Sequence, residues 1–152
     1  MQDSVREQVI QALVRRVEAI QTANGYGIDA TVQRAVLDID PASFPAAVIW
    51  DGAEDASPDD FQVSRQTMRV RVELIDDLAG SNPSVIGNQL LRDGRRAVEV
   101  YGDELTDLAE SVRYTSGDIV YPDAGKTYIV ASLTYVIVYS TAKGDPTSRP
   151  FI

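Results

Sequence analysis

The chain has no cysteine and no histidine among its 152 residues. The first absence excludes disulfides and thiolate chemistry, and nothing points to an oxidising compartment. The second removes the commonest general base and the commonest metal ligand. Neither a Ser-His-Asp nor a Cys-His nucleophile can be built. A zinc site would rest on carboxylates alone, which is poor zinc chemistry, so no metal or cofactor is expected. No apolar run approaches the ~20 residues that cross a bilayer. The opening Met1-Gln2-Asp3-Ser4 does not read as a signal peptide, and no membrane partner is expected. Basic residues are also missing locally. Between Arg34 and Arg65 there is none, while seven acids occur: Asp38, Asp40, Asp51, Glu54, Asp55, Asp59 and Asp60.

Apolar residues form 44% of the chain and charged ones 24%, which together describe a globular protein of one domain. The net charge is −9, so the surface should repel nucleic acid. The acidic stretch reads either as a solvated loop or as a surface that keeps a polyanion from sticking.

Ser4 and Glu7 have capping-box spacing and predict a helix start. Val9, Ile10, Leu13, Val14, Val17 and Ile20 then form one apolar stripe, and Asn24-Gly25 predicts its stop. Thr31–Leu37 and Ala46–Trp50 read as strands, the second buried and followed by an acidic loop from Asp51 to Asp60. Met68, Val70, Val72 and Leu74 alternate with Arg69, Arg71 and Glu73, which gives a strand with one covered face. Asn82-Pro83 opens a second helix, with Ile86, Leu90, Ala97, Val98 and Tyr101 on its inner side. Gly94 predicts close packing or a local weakness, and Gly102 the helix end. A short helix or turn follows over Asp103–Ala109, with Leu105 and Leu108 inward. The order α-β-β-β-α-(α)-β-β argues for an α+β fold: a mostly antiparallel sheet of about five strands, helices on one face, and a long C-terminal hairpin. Residues 1–142 form the domain, and 143–152 a tail expected to order only on assembly.

Several motifs imitate chemistry. Ala124-Gly125-Lys126-Thr127 resembles the end of a P-loop, but the earlier glycine is replaced by Val120 and a strand follows. The turn reading is the better one. Gly25-Tyr26-Gly27 follows a helix instead of a strand, so it is no dinucleotide fingerprint. Pro83 blocks glycosylation at Asn82. The acidic stretch lacks EF-hand spacing. Chance pairs of carboxylates are inevitable among 23 acids, so none marks a glycosidase.

The last third is the most informative. Ser111–Tyr114 and Tyr121–Lys126 lead into a strand from Thr127 to Tyr139. Ile129, Ala131, Leu133, Tyr135, Ile137 and Tyr139 share one face of it, and Tyr128, Val130, Ser132, Thr134, Val136 and Val138 the other. At ~3.3 Å per residue this strand is roughly 43 Å long. A domain of this size is roughly 38 Å across. Either the strand bends within the domain, or one end overhangs towards a neighbouring subunit.

Six segments, taken in order and spacing, carry a family likeness. They are Ile20–Tyr26, Phe44–Glu54, Arg65–Glu73, Asn82–Leu91, Tyr114–Pro122 and Tyr135–Pro146. Together they resemble the tail terminator family of long-tailed bacteriophages. The resemblance implies a non-enzymatic virion protein at the neck end of the tail. It would form a homo-oligomeric ring of about six, cap the tail tube, stop its polymerisation and meet a head–tail connector protein. DNA would pass through without specific binding. On this reading Asp51, Glu54, Asp55, Asp59 and Asp60 are expected to face the lumen or a partner. Arg69, Arg71, Tyr114, Tyr121, Tyr128 and Tyr139 are expected at subunit or tube contacts, since tyrosine offers stiff contact area. Alternatives are another head–tail joining protein, a small acidic carboxylate-dependent enzyme, and a module that captures a peptide along the long strand.

Overall fold

The computed structural model describes residues 2–57 and 62–150. Asp59 and Asp60 lie outside the described residues. Helix α1 (Val5–Glu18) starts at Ser4, whose hydroxyl accepts from the Glu7 amide. The reciprocal half of the expected capping box is replaced, because the Glu7 carboxylate binds Arg34 and Gln11. The helix ends at Glu18, earlier than Asn24-Gly25 suggests. A 3-10 turn over Thr22–Asn24 intervenes, and Gly25 closes that turn at φ 88°. Strand β1 (Thr31–Arg34) is shorter than expected. Ala35 turns left-handed, and Leu37 is 97% exposed.

Strand β2 (Ala46–Ala56) corrects the expected acidic loop, since Asp51–Ala56 continue the strand past a bulge between Asp51 and Glu54. Strand β3 (Val63–Asp77) buries Met68, Val70, Val72 and Leu74 as its alternation predicts. Helix α2 (Pro83–Val98) is capped by Asn82, which accepts from the Ser84 amide. It stops before Tyr101, which is 92% exposed and not part of the core as expected. Helix α3 (Glu104–Leu108) then leads to β4 (Ser111–Val120) and β5 (Tyr128–Ala142). The Asp123–Lys126 turn joins the last two strands, with Gly125 at φ 88°.

The five strands make one sheet in the order β1-β2-β3-β5-β4. Only β1 and β2 are parallel; the other pairs are antiparallel. This is the expected α+β fold. Strand β5 lies between β3 and β4, and all 15 of its residues pair with β3. It does not overhang its own sheet. One face of the sheet shares a core with the apolar stripe of α1 and with Leu90, Ala97 and Val98 of α2. Gly87 and Gly94 let α2 settle closely. A Cβ at Gly87 would stand 2.8 Å from Ile119, and one at Gly94 3.0 Å from Leu133 and Leu74.

The tail is part of this body as far as it is described. The Pro146 carbonyl accepts from the Val5 amide at 2.9 Å, and Ser148 pairs back to Ala142. Arg149 donates to the Asp107 carbonyl. These bonds need no assembly partner, contrary to the expectation for this segment.

Candidate interaction surface

Side chains alternate across a strand, so the core-facing residues fix which residues lie on the other face. Three cross-strand rows run over the uncovered face, from β2 through β3 and β5 to β4. Trp50, Arg71, Thr134 and Ser116 form one. Arg69, Val136 and Arg113 form the next, level with the β2 bulge. Asp55, Thr67, Val138 and Ser111 form the third. The Arg71 guanidinium stands 5.6 Å from the Trp50 ring and pairs with Glu73 at 3.0 Å. Arg69, Arg113 and Asp55 make no ion pair among the described residues.

The five acids predicted to act as one surface are divided. Asp51 and Glu54 lie on the helix-bearing face, where Arg6 pairs with them at 3.3 and 3.1 Å. Asp55 lies on the opposite face, because its register partner Thr67 neighbours buried Met68. The strand pleat causes this separation.

The tyrosines divide as well. Tyr139 is 3% exposed, and its hydroxyl donates to Glu54. It is a core residue, so the expectation that it contacts a neighbouring subunit is corrected. Burial, reinforced by the Glu54 carboxylate, pushes its hydroxyl pKa well above the usual range. Tyr114 is half-buried against Tyr135, ring centroids 5.5 Å apart, with the Arg95 guanidinium 4.2 Å from its ring. Tyr128 meets Phe44 edge-on at 5.4 Å. Only Tyr121 among these four projects freely, at 55% exposure. Arg69 and Arg71 are exposed as expected.

The remaining polar clusters hold elements together. The buried Arg16 guanidinium binds Asp103 with two nitrogens and also reaches the Val98 carbonyl and Thr106. Its hydrogen bonds lower the Asp103 pKa to about 2. Buried Asp93 accepts from the Gly27 amide at 2.9 Å and pairs with Arg92. Glu110 joins Ser140 to Arg65, and both bonds lower its pKa. A shallow cleft of about 410 Å³ opens beside Arg16, between Val98–Tyr101 and Ala109–Val112. Among the described residues no cluster of carboxylates is arranged to hold a metal ion.

Sequence reasoning missed the sheet edges. The outer edge of β4 pairs with no strand among the described residues, and Val120 beside it is 50% exposed. Strand β1 covers β2 only from Ala46 to Ile49, so among the described residues Trp50–Ala56 pair with no strand along the other flank, where Arg6 donates to the Gly52 carbonyl. The shortness of β1 creates that second edge, and no periodicity in β2 itself announces it. No protein-family model matches the chain, and no curated protein matches it either.

Proposed function

We propose that this protein is a structural subunit of a ring that caps the tail tube of a long-tailed bacteriophage, ends its polymerisation and joins it to the head. The observation that carries the reading is the pair of open strand edges on opposite flanks of one sheet. Two different surfaces on opposite sides suit a head-to-tail contact, and such contacts give a ring when the rotation between copies closes. Strand addition along an open edge supplies main-chain hydrogen bonds for the contact. The likeness of the six segments to tail terminators supplies the biological setting. The net charge of −9 suits a channel through which DNA slides without adhering.

The test is the mass of the purified protein, alone and with isolated tail tubes. A ring of about six that binds tube ends supports the proposal. A chain that stays monomeric and ignores tube ends overturns it.

A further inference from the structure

We infer that two free copies of this chain join edge to edge through β4, antiparallel about a two-fold axis at Thr115–Ser116, with Arg113 of each opposite Asp118 of the other and Tyr121 of each in the other's cleft beside Arg16. The contact does not rest on the ring reading. It uses an edge that a ring neighbour would also need, so it describes the free chain and must open before a ring forms.

The bulge in β4 sets the register. Among the described residues the outer edge of β4 is open along its whole length. The bulge between Tyr114 and Ser116 shifts the alternation of its side chains. Before it, Val112 and Tyr114 face the helices, and beyond it Gly117 and Ile119 do. Ser111 and Arg113, then Ser116, Asp118 and Val120, lie on the uncovered face. Opposite residues of an antiparallel pair share a face. With the bulge of one copy against the bulge of the other, the pairs on both sides of it meet that condition. Val112 meets Ile119, Arg113 meets Asp118, and Ser111 meets Val120, each twice. Tyr114 meets Gly117, which has no side chain to obstruct the ring.

Competing arrangements lose one of these matches. A slide by one residue sets helix-facing side chains against those of the other face. A slide by two sets Arg113 opposite Ser116 or Val120, with no carboxylate gained. A parallel pair of β4 strands would place Arg113 beside Arg113 and Asp118 beside Asp118. Strand β2 offers no comparable length, since β1 occupies Ala46–Ile49 and Arg6 holds the Gly52 carbonyl. Its open part carries Asp51, Glu54 and Asp55 without a base. Edges are commonly defended by charges that repel a like edge. The β4 edge instead carries one charge of each sign, spaced to match itself.

Tyr121 supplies the anchor. It follows Val120 directly, and the two are 55% and 50% exposed. With Val120 opposite Ser111, Tyr121 arrives beside Glu110 of the second copy. Glu110 and Ser111 line the cleft of about 410 Å³ beside Arg16, and Val98, Val100, Ala109 and Val112 give that cleft an apolar wall. The alternation that turns Ile119 towards the helices turns Tyr121 the same way, to the face on which the cleft opens. An aromatic ring filling a pocket is the common form of an interface anchor.

The experiment measures the mass of the free chain by light scattering. Wild type at high concentration should show twice the 16.6 kDa of one chain. Arg113→Asp and Asp118→Arg each set like charges opposite one another twice, and each should dissociate at least about tenfold more readily. The double variant should recover. Mixing the two single variants should also restore pairing, because every Asp then meets an Arg. Tyr121→Ala should weaken the pair as well. All three positions are exposed, and far-UV circular dichroism verifies folding. Single variants that pair like wild type overturn this register, as does a mixture that fails to pair. A wild-type chain that stays monomeric, or is already a ring without tubes, overturns the contact and leaves the ring reading to its own test at tube ends. A pair that forms, yet never gives way to binding at tube ends, sinks the ring reading and leaves this contact standing.

Discussion

The Tyr114 hydroxyl occupies the space where a side chain at Gly117 would begin. The bulge between Tyr114 and Ser116 brings Tyr114 and Gly117 to the same face of β4, and the ring folds over the backbone two rows on. Arg95 then covers the outer side of that ring. Adding one methyl at Gly117 must displace Tyr114 and loosen the α2 contact. Gly117→Ala should lower stability by ~1–3 kcal/mol, read by urea denaturation. An unchanged midpoint would show that the ring can move at no cost.

Arg16 ties α1 to the end of α2 and the start of α3. Its side chain is 4% exposed, whereas that of Asp103 is 37% exposed. Water therefore weakens the ion pair, but the bond to the Val98 carbonyl is buried. Arg16→Ala should cost about 3 kcal/mol, near the low end for breaking a buried pair. Arg16→Lys should rescue only part, because a single ammonium cannot reproduce the two-nitrogen grip.

The same pair sets an acid dependence. Arg16 lowers the Asp103 pKa from 3.8 to about 2. A depressed folded pKa gives stability that is present above the unfolded value and lost as pH falls through the folded one. The loss should run between about pH 4 and pH 2. Glu7, held by Arg34, and Glu110, held by Ser140 and Arg65, act in the same direction. Denaturation at pH 7 and pH 3 should differ less in Asp103→Asn than in wild type. An identical difference would remove Asp103 from the acid limb.

Tyr135 and Tyr139 give an alkaline signature. Burial raises both hydroxyl pKa values, with Glu99 adding to the effect at Tyr135 and Glu54 at Tyr139. Their stabilising contribution is full below the unfolded value near 10 and fades as pH rises through the folded values. An absorbance titration of the folded chain should therefore find Tyr135 and Tyr139 still protonated at pH 11. Tyr139→Phe should cost about 2 kcal/mol, read by urea denaturation, and remove one of these two late ionisations. Full ionisation of all seven tyrosines at that pH in the folded state would contradict the buried placement.

Much of this fold was written in local pattern. The alternation from Met68 to Leu74 and the Asn82-Pro83 cap appear in the structure where they were expected. The apolar face of the last strand does so too. The far half of β2 was illegible, because Asp51–Ala56 combines acids, glycine and alanine, which have low strand propensity. Pairing with β3 and neutralisation by Arg6 override that propensity, and both are supplied from distant positions in the chain. Tyr101 fitted the helical spacing of Ala97, yet α2 ends first at Val98. Tyr139 was read as a contact residue for its stiff ring area, whereas it is buried and its hydroxyl bonds Glu54 of the far half of β2. The candidate surface was hardest to read. An open edge is defined by where a neighbouring strand stops, and the residues on the edge carry no trace of it.

The bond from Val5 to Pro146 has a practical reach. Gln2 also donates to the Thr147 carbonyl, so the two ends of the described chain lie side by side. Labels attached near either end would leave the molecule from the same patch. In a ring of identical copies, both sets would mark one circle, and imaging that circle would tell which rim of the ring the ends occupy.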